Sequence, residues 1–430
     1  MDLAIAIGVL IADGIVLSNE LENTIFLGEL SLDGAINSID GLLPMIISMR
    51  ELGIKKCIIP FDNKDECCLF TDIDIIPVQN LGQVVDYLNN EIEIEPYKRV
   101  DNPQDIDYDY NIDFAEIKGQ EGLKRALEVA AAGNHNLLII GPPGSGKTMA
   151  ARRLPTILPR LSFEEAIEVT KIYSISGLLK NKSLIEERPF RSPHHTASNI
   201  SLIGGGRIPR PGEVSLAHNG VLFLDELPEF QKNVLEVLRQ PIEDGVVNIS
   251  RANASLSFPA KFMFIASMNP CPCGYYGDPE HDCTCSQGNI DRYLGKISHP
   301  LLDRIDIHIE VLPVRYSDLQ NDEKAESSFH IRKRVSMARD IQFERFKNKD
   351  YFNNSQIKNK DIKIYCKLSN SSESIMKEAF LKYKFSGRTY NKLLKVSRTI
   401  ADLDGKKNIE DKHILEAIRY RTLDSKYWGS

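Results

Sequence analysis

Apolar residues in the middle of the chain form short unbroken runs, separated by stretches with helical patterns. Three runs are long enough for buried strands: 135–140, 220–224 and 262–266. A helical pattern over 122–132 precedes the first of them. Strands that are apolar at every position are typical of a parallel sheet covered by helices on both faces. The pattern therefore predicts an α/β core built on a parallel sheet.

The two ends of the chain follow different patterns. Residues 23–60 have the pattern strand, turn, helix and strand, which predicts a small α/β domain. Residues 91–111 are acidic with little apolar periodicity, as in a linker. After Ser317 only helical patterns remain, over 324–346, 372–383, 387–404 and 412–421. We predict an N-terminal domain over 1–92, a linker over 93–112, a core over 113–314 and a helical lid over 315–430.

Composition narrows the class of protein. The 430 residues are 42% hydrophobic and 26% charged, which excludes collagen-like and wholly disordered chains. The longest apolar stretch, 4–17, is interrupted by Gly8, Asp13 and Gly14. It is shorter than the about 20 residues that a membrane span needs. The residues Met1 and Asp2 lack the positive charge that opens a secretory signal. We therefore expect a cytoplasmic protein with no membrane partner.

The net charge of −7 is unevenly distributed along the chain. Residues 313–430 contain 26 Lys and Arg against 16 Asp and Glu, so this region carries +10 and the preceding residues carry −17. A basic region on an acidic body is compatible with a polyanionic partner such as DNA. It is equally compatible with helix faces that are only solvated.

A glycine-rich loop follows the first buried run and matches the pattern G-x-x-x-x-G-K-[ST] in full. Its residues are Gly141, Pro142, Pro143, Gly144, Ser145, Gly146, Lys147 and Thr148. In such a loop the backbone N–H groups surround phosphates, the lysine reaches the β- and γ-phosphates, and the hydroxyl binds Mg²⁺. The alternative, an ordinary Gly-Pro turn, does not account for the strand before the loop and the helix predicted after it. The pattern predicts binding of ATP with Mg²⁺.

Two carboxylates end the second buried run. Asp225 is suited to hold Mg²⁺ through its water shell, and Glu226 is suited to polarise a water molecule for attack on the γ-phosphate. A solvated strand end is the alternative when the pair is considered alone. Binding alone would need only the loop, so the glutamate favours hydrolysis.

Four of the eight cysteines form a compact group: Cys271, Cys273, Cys283 and Cys285. In a cytosolic protein such a group suggests metal before disulfide. Four thiolates could bind a structural Zn²⁺ tetrahedrally, although one residue between paired cysteines is tighter than the usual two to four. Four reduced thiols in a constrained loop are the alternative.

Longer motifs identify a family resemblance. They are the runs 189–196 (PFRSPHHT), 204–206 (GGG), 209–213 (PRPGE) and 216–230 (LAHNGVLFLDELPEF). Together with the phosphate loop they resemble the magnesium-chelatase-like AAA+ ATPases, and within them the ComM/YifB family, over nearly the whole chain. The resemblance implies a P-loop NTPase core with a C-terminal helical lid.

The resemblance also implies roles for three further residues. Asn269 is similar to sensor 1, which orients the attacking water. Arg304 is similar to the arginine finger, which enters the ATP site of a neighbouring subunit. Arg388 is similar to sensor 2, carried by the lid onto the phosphates of the nucleotide. A finger in trans implies a ring, expected to be a homo-hexamer. Without the resemblance, a surface salt bridge would be the preferred interpretation of each arginine.

The family is associated with a DNA-translocating branch-migration motor in natural transformation. Arg207 and Arg210 lie in a predicted insert, and Arg251 lies near the tip of a hairpin predicted over 246–258. Such loops could follow a DNA backbone in a ring pore without reading sequence, or they could be solvated turns. The alternatives to a DNA motor are a magnesium-chelatase motor subunit and a MoxR-like remodelling chaperone. The N-terminal part favours the motor, because chelatase motor subunits generally lack it.

That N-terminal part resembles a Lon-protease-like domain of the S5 fold, through residues 28–34 and 54–60. The resemblance implies that the chain begins inside this domain, so the domain is expected to be partial. An apolar residue stands where a Lon-type protease has its catalytic lysine, in 39–43 (IDGLL). No serine–lysine pair is evident, and we expect no peptidase activity.

Overall fold

The computed structural model describes residues 2–17, 21–98, 111–179, 184–206, 209–251, 254–313 and 325–429, without the side chains of Ser250, Arg251 and Ala254. The chain divides into two compact units. One comprises residues 1–108 and 161–187, and the other comprises 109–160 and 188–430. Among the described residues, no helix is both long enough and apolar enough to cross a membrane.

The first unit is a small α/β structure, as predicted. Its three-stranded parallel sheet has the order Thr24–Phe26, Lys56–Pro60, Asp74–Val78. Two further strands, Glu29–Leu30 and Ile36–Asn37, form an antiparallel pair. The helices are Asp2–Ala12, Leu42–Glu51, Lys64–Cys67, Leu81–Leu88 and Phe163–Ile175, with a 3₁₀ turn at Phe61–Asn63.

The helix Phe163–Ile175 belongs to this first unit although the sequence analysis had placed its residues in the core. It begins with a capping box, in which Ser162 and Glu165 bond each other's backbone N–H groups. It packs against the helix Leu42–Glu51, and the Ser174 hydroxyl donates to the buried Glu66 carboxylate at 2.9 Å. The sequence analysis did not predict this packing, because residues 161–187 lie between two core motifs in the sequence.

The second unit contains the predicted parallel sheet. Its five strands are all parallel, and in spatial order they are Ile307–Glu310, Leu137–Ile140, Met263–Met268, Val221–Leu224 and Phe190–Arg191. The three middle strands are buried at every position. This burial on both faces explains their unbroken apolar sequence. The arrangement confirms the P-loop AAA+ fold.

Helices and hairpins surround this sheet. The helices are Glu121–Gly133, Lys147–Arg153, Asn199–Ile203, Glu213–Leu216, Lys232–Val237, Arg239–Asp244, Gln287–Leu294 and His299–Leu302. Short 3₁₀ turns lie at Phe114–Glu116, Leu154–Ile157 and Leu227–Glu229. Two antiparallel hairpins pair Gly204–Gly205 with Arg210–Pro211, and Val246–Arg251 with Ala254–Pro259.

The C-terminal part is helical, as predicted. Its helices are Ser328–Phe346, Asn359–Tyr365, Asn370–Tyr383, Gly387–Leu403, Asp411–Arg419 and Leu423–Tyr427, with a 3₁₀ turn at Asn354–Gln356. The buried Asp402 carboxylate accepts hydrogen bonds from Arg345, Arg398 and Asn354. A buried charge must be paired and hydrogen-bonded. Because the partners of Asp402 lie in separate elements of the lid, these bonds join those elements.

Candidate active site

The backbone conformation of the phosphate loop depends on its glycines. Gly144 and Gly146 have φ values of 75° and 83°, which side chains with a β-carbon rarely adopt. A β-carbon at Gly141 would lie 2.5 Å from the Val311 carbonyl oxygen. The glycines that the motif requires are thus needed for the turn and for close packing. Successive N–H groups in such a loop form an anion-binding concavity.

Lys147 is buried in this loop. Its ammonium group donates to the carbonyl oxygens of Gly141 at 2.7 Å and Pro142 at 2.8 Å, and to Asn269 Oδ1 at 3.1 Å. Burial lowers the pKa of Lys147 to about 8, although the carboxylates of Asp225 and Glu226 oppose that shift. The lysine and the predicted sensor 1 residue therefore meet at the end of the sheet, although 122 positions separate them in sequence.

Asp225 lies at the centre of a second group of polar contacts. The Thr148 hydroxyl donates to Asp225 Oδ2 at 2.6 Å, and the Ser267 hydroxyl donates to Asp225 Oδ1. Thr148 and Asp225 are thus adjacent, as two oxygen donors to one Mg²⁺ should be. The sequence analysis did not find Ser267, because a serine inside an apolar strand carries no motif.

Glu226 follows directly in a left-handed conformation, with φ 53°. Its side chain is 58% exposed, and its Oε2 lies 3.7 Å from Nδ1 of His195. The His195 ring in turn contacts the His194 ring, with 4.0 Å between centroids. His195 was part of a family motif without an assigned role. The structure places it beside the predicted general base.

The four cysteines come together as predicted, with all four sulfur atoms within 4.8 Å of one another. Cys271 Sγ lies 3.3 Å from Cys273 Sγ and 3.7 Å from Cys283 Sγ. Burial raises the pKa of the Cys273 thiol, but hydrogen bonds from the backbone at Tyr275 and Thr284 and from the thiols of Cys271 and Cys285 outweigh burial and bring the pKa to about 6. This favours the thiolate, the form in which cysteine binds metals, at Cys273. At Cys283 and Cys285 a backbone hydrogen bond lowers the pKa, but burial and the neighbouring thiols of Cys271 and Cys273 outweigh it and raise the pKa.

Comparison with known proteins identifies the family. The profiles of magnesium chelatase subunit ChlI, of its C-terminal region and of "subunit ChlI of Mg-chelatase" match residues 113–319, 325–421 and 1–63. The chain is 42% identical over 425 residues to the competence protein ComM of Haemophilus influenzae, which is 98% of this chain and 82% of the relative. The chain belongs to the ComM/YifB family of magnesium-chelatase-like AAA+ ATPases.

Two other relatives show how much of the chain the similarity covers. YifB of Escherichia coli is 40% identical over 424 residues, which cover 98% of this chain and 82% of the relative. The magnesium-chelatase 38 kDa subunit of Rhodobacter capsulatus is 26% identical over 219 residues, which cover 47% of this chain and 56% of the relative. The similarity to ComM and YifB therefore extends over nearly the whole chain, and the similarity to this chelatase subunit over about half.

In this ComM/YifB-family chain the two predicted arginines line one cleft of about 640 Å³. The Arg304 guanidinium donates to the carbonyl oxygens of Arg239 and Pro300 and to the Glu243 carboxylate. Arg388 is 69% exposed, and its guanidinium lies 3.9 Å from the Asp303 carboxylate. Among the described residues, the cleft lining includes none from the phosphate loop. Arg388, the predicted sensor 2, thus lines the same cleft as Arg304, the predicted finger of its own chain, which the sequence analysis did not foresee.

The loops assigned to DNA are described only in part. Arg210 is exposed, at the start of its short strand. Arg207 and the side chain of Arg251 lie outside the described residues. The two hairpins adjoin each other, because a β-carbon at Gly204 would lie 3.1 Å from Ile249 Cδ1.

Proposed function

We propose that the protein hydrolyses ATP and uses the energy to move DNA. The observation that carries the hydrolysis is the convergence of Lys147, Thr148, Asp225 and Asn269 beside Glu226. In this proposal the phosphate-loop N–H groups and Lys147 bind the phosphates. Glu226 takes the proton of the attacking water, and Asn269 orients that water.

Thr148 and Asp225 are the residues that would hold Mg²⁺, and their hydrogen bond places both oxygens within reach of one ion. When bound, the ion neutralises charge on the β- and γ-phosphates. Ser267 keeps the second Asp225 oxygen in place. His195 lies close to the Glu226 carboxylate, which is otherwise largely exposed.

We propose further that subunits form a homo-hexameric ring and that Arg304 and Arg388 both act on the neighbouring subunit's ATP. The shared cleft supports this, because two residues on one face of a subunit can approach the same site of the next. In the free subunit Arg304 is held by the Glu243 carboxylate, an ion pair that a neighbour's phosphates would replace.

The proposed partner is DNA, bound without sequence preference in the cytoplasm, and the proposed activity is branch migration of the ComM type in natural transformation or recombination. The adjoining hairpins support this role, since their described strands lie side by side and Arg210 is exposed on one of them. Phosphate contacts of this kind bind all sequences alike. The 42% identity to a competence protein supports the same role.

A magnesium-chelatase motor subunit is the second candidate, favoured by the family profiles that match residues 113–319 and 325–421. The ATPase rate without DNA and with single-stranded, duplex or forked DNA distinguishes the two candidates. A DNA motor should be stimulated several-fold by at least one of these structures and should move a branched junction in the presence of ATP. An ATPase rate unchanged by every DNA would contradict the motor and favour the chelatase candidate.

We also propose that Cys271, Cys273, Cys283 and Cys285 bind one structural Zn²⁺. Four sulfur atoms at about 2.3 Å from a tetrahedral zinc lie about 3.8 Å apart, close to the separations observed here. Metal analysis of protein purified under reducing conditions should find one zinc per chain. The double variant Cys283→Ser/Cys285→Ser should lose it, whereas Cys366→Ser, a buried cysteine outside the group, should keep it. Iron in place of zinc, or no metal, would contradict this proposal.

A further inference from the structure

The segment that carries the four cysteines, residues 270–286, contacts the phosphate loop. This segment, the cysteine loop, contains no helix or strand and follows Asn269 directly. Gly274 in the cysteine loop has φ 91°, and a β-carbon there would lie 2.5 Å from Pro143 Cδ and 2.8 Å from Pro143 Cγ. The backbone of the cysteine loop therefore packs against the middle of the phosphate loop.

The other side of the cysteine loop contacts the C-terminal helix. The ring of Tyr276 lies 6.3 Å from that of Tyr427, and a β-carbon at Gly277 would lie 3.5 Å from Lys426 Nζ. Lys426 and Tyr427 both donate to Glu310 Oε1 at 2.5 Å. Glu310 ends the strand that pairs with Leu137–Ile140, which leads into the phosphate loop. The cysteine loop thus contacts the phosphate loop on one side and the C-terminal helix Leu423–Tyr427 on the other.

We infer that the cysteine loop is a positioning element for the nucleotide site and that the Gly274–Pro143 contact sets nucleotide affinity. This inference rests on the proposed zinc for the rigidity of the cysteine loop. A loop without hydrogen-bonded secondary structure holds a neighbour in place only if something fixes its own shape, and a four-ligand metal does so. Residues whose rotamers and backbone are locked by such support hold a binding site in its productive geometry.

The contact with Pro143 can be changed while all four thiols stay in place. In Gly274→Ala the new methyl group overlaps the Pro143 ring, which cannot rotate away, so the phosphate loop has to move. Gly277→Ala is the matched control. It introduces an alanine at another left-handed glycine of the same loop, with φ 79°, but its methyl group meets only the flexible end of Lys426. Both variants carry similar backbone strain, and only one of them touches the phosphate loop.

The experiment measures the dissociation constant of fluorescently labelled ADP and the zinc content of each full-length variant. We expect Gly274→Ala to bind the nucleotide at least tenfold more weakly with zinc unchanged, and Gly277→Ala to remain within twofold of the parent. Stripping zinc from the parent with a chelator should weaken binding in the same direction, and added zinc should restore it.

The possible failures are distinguishable. Parent protein without metal would refute the zinc proposal while leaving the Gly274→Ala comparison as a test of the contact. Equal nucleotide affinity in Gly274→Ala and Gly277→Ala would overturn the positioning role. If Gly274→Ala does not fold, the chelation experiment decides, and unchanged affinity after zinc removal would overturn the inference.

Discussion

At the residue scale, single side chains in the candidate nucleotide site are held by partners distant in sequence. Asp225 accepts from Thr148 and from Ser267, and Lys147 donates to Asn269. These bonds leave Glu226 as the exposed carboxylate of the pair, with one oxygen 3.7 Å from His195 Nδ1. The different roles proposed for the two neighbouring carboxylates agree with their surroundings, with Asp225 fixed and Glu226 open to solvent.

Replacing the proposed base should separate binding from hydrolysis. We expect Glu226→Gln to bind ATP with the affinity of the parent and to lose about 10²–10⁴-fold in turnover, because an amide cannot accept the proton of the attacking water. Single-turnover hydrolysis and an equilibrium binding titration measure the two effects. Glu229→Gln, the same substitution three positions on, should leave both unchanged. Parental turnover in Glu226→Gln would refute its role as base.

Removing the Ser267 hydroxyl should weaken the binding of Mg²⁺ more than the binding of ATP. In Ser267→Ala one Asp225 oxygen loses its side-chain donor and keeps the Glu226 backbone N–H, and loss of such an outer partner of a metal ligand costs about tenfold in metal affinity. We expect a tenfold higher Mg²⁺ concentration for half-maximal ATPase activity, with the maximal rate largely recovered in excess Mg²⁺. Ser397→Ala, another buried serine whose hydroxyl bonds only its own helix, is the control. The same Mg²⁺ dependence in both variants would contradict the assignment.

At the scale of elements, buried ionisable groups join the C-terminal helix to the sheet. His308 lies in the strand Ile307–Glu310, with its Nδ1 2.6 Å from Asp424 Oδ1 and its Nε2 3.1 Å from the Arg421 guanidinium. Arg421 can only donate, so Nε2 accepts and the imidazole is neutral in the folded protein. Burial is the main reason that the pKa of His308 is lowered to about 4, and Arg421 and Lys392 add to it against the opposing Asp424.

This arrangement predicts acid sensitivity. His308 gains a proton below about pH 6.5 in the unfolded chain but only below about pH 4 in the folded chain. Its contribution to the free energy of unfolding is therefore fully present above pH 6.5 and is lost as the pH falls to 4. The loss should be on the order of 2–3 kcal/mol in the free energy of unfolding. Denaturant unfolding measures the free energy of unfolding at pH 7 and at pH 4.5. The difference between these two values should be smaller for His308→Gln than for the parent. The exposed His330→Gln should match the parent, and an equally steep dependence in His308→Gln would contradict the assignment.

At the scale of the whole molecule, the proposed function depends on contacts between subunits of the proposed ring. Arg304 and Arg388 line one cleft, so a neighbour that accepts one of them can accept both. The basic lid and the adjoining hairpins are the two candidate surfaces for the proposed DNA partner. The assembly and the partner can each be tested by variants that leave the subunit's own nucleotide site intact.

Mixed rings should reveal which arginines act in trans. Arg304→Ala alone should lose about 10³-fold or more in hydrolysis while ATP affinity of the subunit is kept. Mixing it with Glu226→Gln subunits should restore activity, because some interfaces then combine an intact finger with an intact base. Mixing Arg304→Ala with Arg388→Ala should restore nothing if both act in trans, because no interface has both arginines. Recovery in that second mixture would instead assign Arg388 to its own subunit's nucleotide.

The positive charge of the hairpin arginines should strengthen DNA binding. The triple variant Arg207→Ala/Arg210→Ala/Arg251→Ala should weaken binding of all sequences about equally and flatten its salt dependence, because fewer counterions are released. Basal ATP hydrolysis should persist. The control removes three exposed lid lysines, in Lys333→Ala/Lys377→Ala/Lys382→Ala. If the control lowers the salt slope and the arginine variant does not, DNA binds the lid rather than the hairpins.

The sequence by itself determined the features that depend on neighbouring residues. The phosphate loop, the carboxylate pair and the buried strands could be predicted because each needs a particular backbone or burial pattern over a few positions. The lid helices were predictable for the same reason, and the structure confirms them at Ser328–Phe346, Asn370–Tyr383, Gly387–Leu403 and Asp411–Arg419.

Tertiary structure alone decided which distant residues meet. Ser267 beside Asp225, Arg388 beside Asp303, and Gly274 against Pro143 are contacts between segments separated by 42 to 131 positions. No local pattern encodes them, because they arise from the order of strands in the sheet and from the packing of loops at its end. The assignment of residues 161–187 to the first unit has the same cause, since burial against Leu42–Glu51 outweighs their position in the sequence.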